Sequence, residues 1–234
     1  MPKVSIVMTA YRRAALLKNT LDSIFIQNYK DLEVIVVEDG HDGETEPLCL
    51  EYPVIYLCRR NRPDVPYSNQ AIPANMGFRR ATGEILIYQN AECQHVSPDL
   101  IRNLSGRVTE DTAQFPRVES LNRNGYHWMW FTHEDDELAQ RRFFFCGAIL
   151  LKTILEIGGI DEDYTAAAYD DNDLSDRLQA RGIKEIVNPD LLVHHQWHER
   201  PGWSPAESAV VFQRKQGASF TVVRNQGREW GVDR

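Results

Sequence analysis

Three polar clusters in the first half of the chain each follow a short apolar run, and their side chains are of types that bind nucleotides and divalent cations. Thr9 opens the first cluster, Asp39 lies in the second, and Asn90 and Glu92 belong to the third. A carboxylate such as Asp39 can accept an N–H from a nucleotide base. Glu92 offers the hard oxygen that Mg²⁺ and Mn²⁺ prefer, and Asn90 offers a neutral amide oxygen. The alternative is ordinary turn and cap chemistry at strand ends.

A second acidic group lies late in the chain, where Asp170, Asp171 and Asp173 surround the start of a helix predicted at 171–181. A carboxylate at a loop-to-helix junction can be aimed at a hydroxyl group and act as a general base, and partial desolvation raises its basicity. The alternative is that these residues cap the helix and complement its dipole. We assign Asp173 mainly to that structural role.

Three histidines stand close together near residue 195. His194, His195 and His198 follow the apolar run 191–193, and Trp197 lies among them. Neutral imidazole is a common metal ligand. A lone histidine is usually structural, but three histidines within five residues favour a shared site.

The apolar pattern predicts elements that could carry these groups to one place. Strands are predicted at 3–8, 32–37, 54–57 and 85–88, and helices at 13–27 and 74–81. This alternation indicates a mostly parallel α/β sheet with right-handed crossovers. Ligands collect at the carboxyl edge of such a sheet, so we expect the three strand-end clusters to converge there.

The second half of the chain has a less regular pattern. Its predicted elements are helices at 98–104, 152–157, 171–181 and 204–213 and strands at 112–118, 143–150, 183–187 and 191–193. Residues 122–136 are polar and aromatic with no clean period, and the acidic run 133–137 within them is interpreted as a solvated loop. The chain contains no internal repeat or clear linker, so we expect one domain.

The composition excludes several classes of protein. The 234 residues are 42% hydrophobic and 26% charged, which is typical of globular domains and not of disordered, collagen-like or coiled-coil chains. The formal net charge of −8 argues against general binding to nucleic acid. No apolar stretch approaches the ~20 residues that span a bilayer, and no signal-peptide pattern is present. Because the four cysteines include no C-x-x-C pair, we expect reduced thiols in a soluble, cytoplasmic protein.

Several stretches of the chain resemble the inverting family 2 glycosyltransferases of the GT-A fold. They are VSIVMTAYRR, VIVVEDG, ANMGFRRATGEILIYQNAE, and GGIDEDY followed by YDDNDLSDRLQARG. The resemblance covers residues 3–198 and implies a single α/β domain with a Rossmann-like, mixed, mostly parallel sheet flanked by helices. A nucleotide-binding half at 1–98 would precede an acceptor-side half at 99–200, and residues 201–234 would be an extension that packs on the domain or trails from it.

The sequence departs from the family pattern in two places. The metal-binding D-x-D reads Asn90-Ala91-Glu92, and the arginine often found before the asparagine of the middle helix is Ala74. The resemblance nevertheless implies a divalent cation, Mn²⁺ or Mg²⁺, held by Glu92 and Asn90. His195 is the first candidate to complete its ligand shell, and His198 is the second.

The resemblance also implies a donor site. Its nucleotide-sugar contacts would be Thr9, Ala10, Tyr11, Arg13, Asp39, Asn75, Gly77, Arg79, Asn90 and Ala91. We expect Asn75 and Gly77 near the start of a helix, where unpaired N–H groups would face the diphosphate and Arg79 or Arg80 would add positive charge. The alternative is a solvated basic face with a helix cap.

On the acceptor side, the resemblance implies that Asp171 is the general base and that Asp170 shapes the pocket beside it. Trp128 and Trp130 are candidates to stack on an acceptor sugar. The expected reaction moves a sugar, with inversion, from a nucleotide diphosphate to a hydroxyl of a glycan, a lipid-linked acceptor or a protein. UDP is the first expectation because one acidic residue facing the base suits uracil N3, while GDP and dTDP stay open.

Two other functions are considered. A nucleotide-sugar binding module without transfer activity would explain the missing D-x-D aspartates, but it would have no use for the Asp170-Asp171 pair. A nucleotidyltransferase would need a phosphate loop with glycine and lysine after the first strand, and residues 9–13 contain neither. We therefore favour the glycosyltransferase.

Overall fold

The chain forms one mixed sheet with helices on both faces. A computed structural model describes residues 1–65, 67–132, 144–200 and 202–233, with the backbone alone at 130–132. The strands are β1 (Val4–Ala10), β2 (Leu32–Asp39), β3 (Ile55–Arg59), β4 (Ile85–Asn90), β5 (Cys93–His95), β6 (Thr112–Leu121), β7 (His127–Thr132), β8 (Cys146–Leu150) and β9 (Lys184–His195). The helices are α1 (Ala14–Phe25), α2 (Thr45–Cys49), α3 (Ala71–Arg80), α4 (Leu100–Arg107), α5 (Leu151–Glu156), α6 (Asp170–Ala180) and α7 (Ala206–Lys215).

The strands β1 to β4 build a parallel half of the sheet. The strand order is β3-β2-β1-β4-β8-β6-β9-β5, and β7 pairs with β6. β1 is parallel to β2 and to β4, and β2 is parallel to β3. β8 then joins antiparallel to β4, while β6 and β9 form a further parallel pair. The α/β alternation read from the sequence predicts this parallel half, because parallel neighbours need crossover connections.

An apolar layer on each face of the sheet holds the helices. All residues of β1 are buried. Ile6 and Met8 pack in one layer with Leu17 of α1, whereas Val7 packs in the other layer with Phe78 of α3. Successive strand side chains point to opposite faces, so the continuous apolar run of β1 serves both layers.

Helix α3 lies unusually close to the sheet because residue 77 has no side chain. A Cβ atom at Gly77 would lie 2.3 Å from Cγ1 of Val7 and 3.2 Å from Cγ2 of Val37. The first of these distances is far below van der Waals contact between carbon atoms. The close packing seats the start of α3 beside the end of β1, where Oγ1 of Thr9 donates to Oε1 of Gln70 at 3.0 Å.

A buried network of charges holds the C-terminal residues against helix α6. Arg224 donates to Asp173 at 2.7 Å and lies 3.2 Å from Asp161. Arg177, which is fully buried, pairs with the other oxygen of Asp173 at 2.7 Å. Lys215 of α7 also pairs with Asp161. Because opposite charges face each other in this network, their burial is compensated.

Several elements differ from their predicted bounds. β1, β2 and β4 end at Ala10, Asp39 and Asn90 rather than at residues 8, 37 and 88, so the strand-end clusters begin inside the strands. Helix α3 begins at Ala71 rather than at residue 74. The strands predicted at 183–187 and 191–193 are one strand, because β9 continues its pairing with β6 across an irregularity in register.

No helix or strand was predicted for residues 122–136, but the structure has strand β7 within this stretch. β7 pairs with β6, and the register shifts at two points along β6. The acidic run 133–137 lies outside the described residues. Across the described ranges, no helix combines the length and apolar character needed to cross a bilayer. The four cysteines are free thiols.

Candidate functional site

The ends of the parallel strands bring the predicted clusters together at one edge of the sheet. Thr9 of β1 is the register partner of Asn90 of β4, and Ala10 is the partner of Glu38 of β2. Asp39, the last residue of β2, is the partner of Arg59 of β3. This convergence follows from the parallel register, in which all carboxyl ends point the same way.

A polar segment before α3, residues 67–70, connects these strand ends to one another. Arg59 donates both to Oδ1 of Asp39 at 3.1 Å and to Oγ of Ser68 at 3.3 Å. Two residues later, Gln70 accepts the hydrogen bond from Thr9. The sequence analysis missed this segment. Its polar run directly before a helix was the available signal.

Tyr67, at the start of that segment, has a hydroxyl on which the charges of the predicted catalytic and metal residues act. Burial raises the pKa of its hydroxyl well above the ordinary value, and the carboxylates of Asp170, Asp171 and Glu92 raise it further. Arg13 acts on the same hydroxyl in the opposite sense. Glu92 and Asp171, 79 residues apart in sequence, are therefore both near enough for their charges to act on the Tyr67 hydroxyl.

Asp39 is buried and faces two arginines that the sequence analysis did not identify. Its Oδ1 pairs with Arg59, and its Oδ2 lies 3.4 Å from Nε of Arg62. The guanidinium of Arg62 also lies 3.8 Å from the centre of the Tyr11 ring. Burial raises the pKa of Asp39, although the two arginines oppose this shift. Carboxylate oxygens accept more than one hydrogen bond, so Asp39 can still accept an N–H from a base.

Glu92 lies at the centre of a cluster that contains both histidines predicted for a metal. Nη1 of Arg13 donates to Oε1 of Glu92 at 2.7 Å. Nε2 of His198 and Nε2 of His195 lie 3.1 and 3.5 Å from the same oxygen. Burial alone would raise the pKa of Glu92, but Arg13 and the two histidines hold it well below its usual range. Burial lowers the pKa of His195, which favours the neutral form that binds metals.

The donor atoms of this cluster fit a divalent cation. One ligand atom from each of Glu92, His195 and His198 lies within 4.8 Å of the other two. Oε2 of Glu92 and Oδ1 of Asn90 are buried and have no hydrogen-bond partner among the described residues. Buried oxygen acceptors without partners are costly, and a cation would satisfy them.

Asp170 and Asp171 form the first residues of helix α6. Ala168 and Tyr169, just before them, adopt left-handed backbone angles with φ of 68° and 66°. Burial raises the pKa of Asp170, and burial with the charge of Asp170 raises the pKa of Asp171 well above its usual range. A backbone hydrogen bond from Phe144 partly offsets the shift at Asp171. Such strained backbone and perturbed carboxyls are typical of functional sites.

Asn75 and Gly77 do not lie at the start of helix α3, where the sequence analysis expected their backbone N–H groups to face a diphosphate. Because α3 begins at Ala71, both residues lie in its interior, where backbone N–H groups are bonded within the helix. The buried Asn75 side chain donates to the backbone carbonyl of Ile160 at 2.8 Å, and Gly77 faces Val7 of the sheet. The expectation of free N–H groups at these two residues is therefore wrong, and their observed contacts are structural.

Three further donor-site candidates do not offer a free side chain to a ligand. The side chains of Ala10 and Ala91 are buried in the apolar core, so only their backbone groups can reach a ligand. Arg79 donates to the backbone carbonyl of Trp230 at 2.6 Å and lies over that indole ring. The Arg79 side chain therefore contacts the C-terminal segment, whereas the sequence analysis expected it to face the diphosphate.

The acceptor-side candidates lie on the second half of the sheet. Trp128 of β7 is exposed, with 61% of its side chain accessible. The side chain of Trp130 lies outside the described part of the chain. His194, the histidine left out of the metal set, points away from Glu92 and pairs with Glu119 at 3.1 Å.

Comparison with known proteins identifies the family. The profile described as "Glycosyl transferase family 2" matches residues 5–174. The chain belongs to this family. The matched range contains the strand ends, Glu92 and the Asp170-Asp171 pair, and it stops before His195 and His198.

Curated relatives of this family 2 chain are glycosyltransferases. The chain is 26% identical over 277 aligned positions to a validoxylamine A glucosyltransferase of Streptomyces hygroscopicus subsp. jinggangensis, with 97% of this chain and 65% of that protein covered. It is 29% identical over 179 positions to the GalNAc(5)-diNAcBac-PP-undecaprenol beta-1,3-glucosyltransferase of Campylobacter jejuni, with 70% and 56% covered. The chain therefore spans less than two thirds of the length of these relatives.

Solved structures with the same fold include enzymes bound to nucleotides. The chain superposes on a mannosyltransferase of Pyrobaculum calidifontis, solved with GDP-Man and Mn²⁺, with a TM-score of 0.64 and 19% identity over 86% of this chain and 59% of that one. It superposes on S. aureus TarS, solved with UDP, with a TM-score of 0.67 and 13% identity over 89% and 63%. The family 2 chain thus has the GT-A fold that the sequence resemblance predicted.

Proposed function

We propose that this chain transfers a sugar from a nucleotide diphosphate donor to a hydroxyl acceptor, with inversion at the anomeric carbon. The observation that carries the proposal is that Asp171 accepts the backbone N–H of Phe144, while the carbonyl of the next residue, Phe145, accepts the N–H of Asn90 at 3.1 Å, two residues before Glu92. One carboxylate there is basic, and the other is held ionised beside two imidazoles. This arrangement supports one site in which a proton-accepting carboxylate and the group facing the departing diphosphate act on the same donor.

Asp171 is the proposed general base. Its raised pKa makes the ionised carboxylate a stronger proton acceptor. It takes the proton of the acceptor hydroxyl while that oxygen bonds to the anomeric carbon. The bond from that carbon to the diphosphate oxygen breaks on the opposite side, and the nucleoside diphosphate leaves with the electron pair. Asp170, buried beside it, raises the basicity of Asp171 through its own charge.

The donor nucleotide is proposed to lie along the carboxyl edge, with its base at Asp39 and its diphosphate near Arg13. Asp39 can accept the N3–H of uracil, which makes UDP our first candidate. The structural neighbours include proteins bound to UDP and to GDP-Man, so both bases belong in the test. Tyr11, under the Arg62 guanidinium, offers an aromatic face at the same end of the sheet.

The proposed cation ligands are Glu92, His195 and His198, with Asn90 as a neutral oxygen donor. A divalent cation held by these residues would neutralise negative charge on the leaving diphosphate. Imidazole ligands suit transition metals, and carboxylate oxygen suits Mn²⁺ as well as Mg²⁺. This donor set therefore favours Mn²⁺ over Mg²⁺. Arg13 already contacts Glu92 and adds a second positive charge toward the same region.

The substitution Asp171→Asn tests the assignment, with Asp176→Asn on the same helix as the matched control. We expect Asp171→Asn to lower transfer by about 10²- to 10⁴-fold, the usual contribution of a general base. Nucleotide affinity, measured by calorimetry with UDP and GDP in Mn²⁺, should stay near the wild-type value. Asp176→Asn should leave both unchanged. Wild-type turnover by Asp171→Asn would exclude Asp171 as the base.

A panel of nucleotide sugars, offered with and without Mn²⁺ and with hydrolysis as the readout, identifies the donor. Turnover of one UDP-sugar in Mn²⁺ is the expected result. Tight binding of nucleotide without turnover of any donor would support the inactive binding module instead.

A further inference from the structure

A second group of metal-ligating side chains lies on the other face of the strand end that carries Asp39. Glu38 precedes Asp39 in β2, so its side chain points to the opposite face of the sheet. Cys58 of β3 is the register partner of Glu38. Cross-strand partners on one face have neighbouring side chains, so the carboxylate and the thiol are held side by side by strand pairing.

His41 is brought back over this pair by the turn that ends β2. Gly40 has a φ of 92°, and its N–H donates to the carbonyl of Arg59 at 2.9 Å. The turn places Nδ1 of His41 3.7 Å from Oε2 of Glu38. One ligand atom each from Glu38, His41 and Cys58 lies within 4.8 Å of the other two.

The electrostatics of this group call for a cation. Glu38 is fully buried, and among the described residues no lysine or arginine lies within ion-pair distance of it. Its oxygens accept hydrogen bonds from the Tyr56 hydroxyl and from the Asp42 backbone N–H. Burial raises the pKa of Glu38, and the nearby charge of Asp42 raises it too. Buried charges in proteins are usually paired or bound to metals.

We propose that Glu38, His41 and Cys58 bind a thiophilic divalent cation of the Zn²⁺ class, at a site separate from the one at Glu92. Metal–ligand bonds of about 2.0–2.3 Å in a tetrahedral site place ligand atoms about 3.3–3.8 Å apart. The separation of Glu38 and His41 already matches this range. One carboxylate and one thiolate balance the double positive charge, and the thiol proton of Cys58 is released to solvent on binding.

A fourth ligand position is available beside the histidine. Oε2 of Glu46, the second residue of α2, lies 4.0 Å from Nδ1 of His41. The side chains of His41 and Glu46 are 45% and 43% accessible, so either can rotate toward a bound ion. The cation would tie β2, β3 and α2 together at the edge of the sheet, directly behind Asp39.

Titration of the full chain with Co²⁺, after chelator treatment and desalting, tests the proposal. A cysteine thiolate bound to Co²⁺ gives a charge-transfer band in the near ultraviolet. The cluster at Glu92 has no sulfur among its proposed ligands, so this band reports on the second site. We expect the band to saturate at one equivalent in Glu92→Gln, where the other cluster is removed, and by two equivalents in the wild type. It should vanish in Cys58→Ser and need at least about tenfold more Co²⁺ in His41→Gln.

Two variants serve as controls. Cys49→Ser changes a thiol of α2 that is outside the ligand group, and Glu92→Gln changes the other cluster. Both should keep the band. No band in the wild type, a band that persists in Cys58→Ser, or one that is lost in Glu92→Gln would overturn the proposal.

Thermal unfolding gives an independent readout that does not depend on the spectrum. Zn²⁺ should raise the Tm of the wild type and of Glu92→Gln, because a ligand that binds the folded state stabilises it. The same addition should give a smaller shift in Cys58→Ser, whose circular dichroism without metal should match the wild type. An equal shift in Cys58→Ser would count against the site.

Discussion

Replacement of His95 by glutamine should weaken the dependence of stability on acid pH, because this buried imidazole is held in its neutral form. Nδ1 of His95 lies 2.8 Å from Nε2 of Gln27, whose Oε1 accepts the N–H of Ile101. Nδ1 must therefore be the acceptor. Nε2 then carries the proton and donates to Oε1 of Gln89 at 2.7 Å. Protonation of Nδ1 would break this chain of hydrogen bonds, which supports β4 and β5 on either side of Glu92.

The magnitude follows from the pKa. Burial lowers the pKa of His95 to about 3, against about 6.5 in the unfolded chain. Between these values the unfolded state binds the extra proton, so stability is full above pH of about 6.5 and falls as pH decreases toward 3. Moving from about pH 7 to about pH 5 should therefore cost about 2 kcal/mol through this residue alone.

The assay is urea unfolding followed by tryptophan fluorescence, at pH 7, 6 and 5, for the wild type and for His95→Gln. Glutamine can accept and donate with the same two neighbours but does not titrate. The wild type should lose about 2 kcal/mol more than His95→Gln over this range. Equal slopes for the wild type and His95→Gln would refute the reasoning.

Three further predictions concern packing, the cation and the C-terminal segment. Gly77→Ala should cost about 1–3 kcal/mol in urea unfolding because its Cβ would overlap Val7, while Gly106→Ala in α4, where nothing lies within 4 Å, should be neutral or stabilising. Glu92→Gln should weaken nucleotide binding in Mn²⁺ far more than in EDTA by calorimetry, and an equal loss in both would remove its metal role. Arg224→Met should cost about 3–5 kcal/mol because it removes one of the two cationic partners from each of two fully buried carboxylates, Asp161 and Asp173. The exposed Arg181→Met should cost at most about 1 kcal/mol, and similar losses for the two arginine variants would contradict the assignment.

Sequence reasoning succeeded where local pattern and chain order were sufficient. The apolar runs of β1, β2 and β4 are typical of strands that are buried on both faces. A parallel sheet places the residues that follow such strands at one edge. The convergence of Thr9, Asp39 and Glu92 on one side of the sheet could therefore be predicted. The choice of His195 and His198 as metal ligands among the three neighbouring histidines needed the family resemblance.

The residues that sequence reasoning missed depend on contacts between distant segments. Tyr67 and Ser68 have no periodic pattern, and their importance arises from what the sheet edge and α6 place around them. Arg59 and Arg62 were overlooked because basic residues after a strand are common, and only the fold turns them toward Asp39.

The linear pattern of apolar and polar residues thus specifies the parallel sheet and the identity of the residues at its carboxyl edge, because strand periodicity and crossover geometry are local properties of the chain. The tertiary structure decides which charges are buried and what compensates them. Helix α3 begins about one turn earlier than predicted. Asn75 therefore lies in the interior of the helix, and Gln70, just before it, contacts Thr9 at the end of β1. The pKa shifts at Glu92 and Asp171 likewise arise only when burial and distant charges act on one carboxyl together.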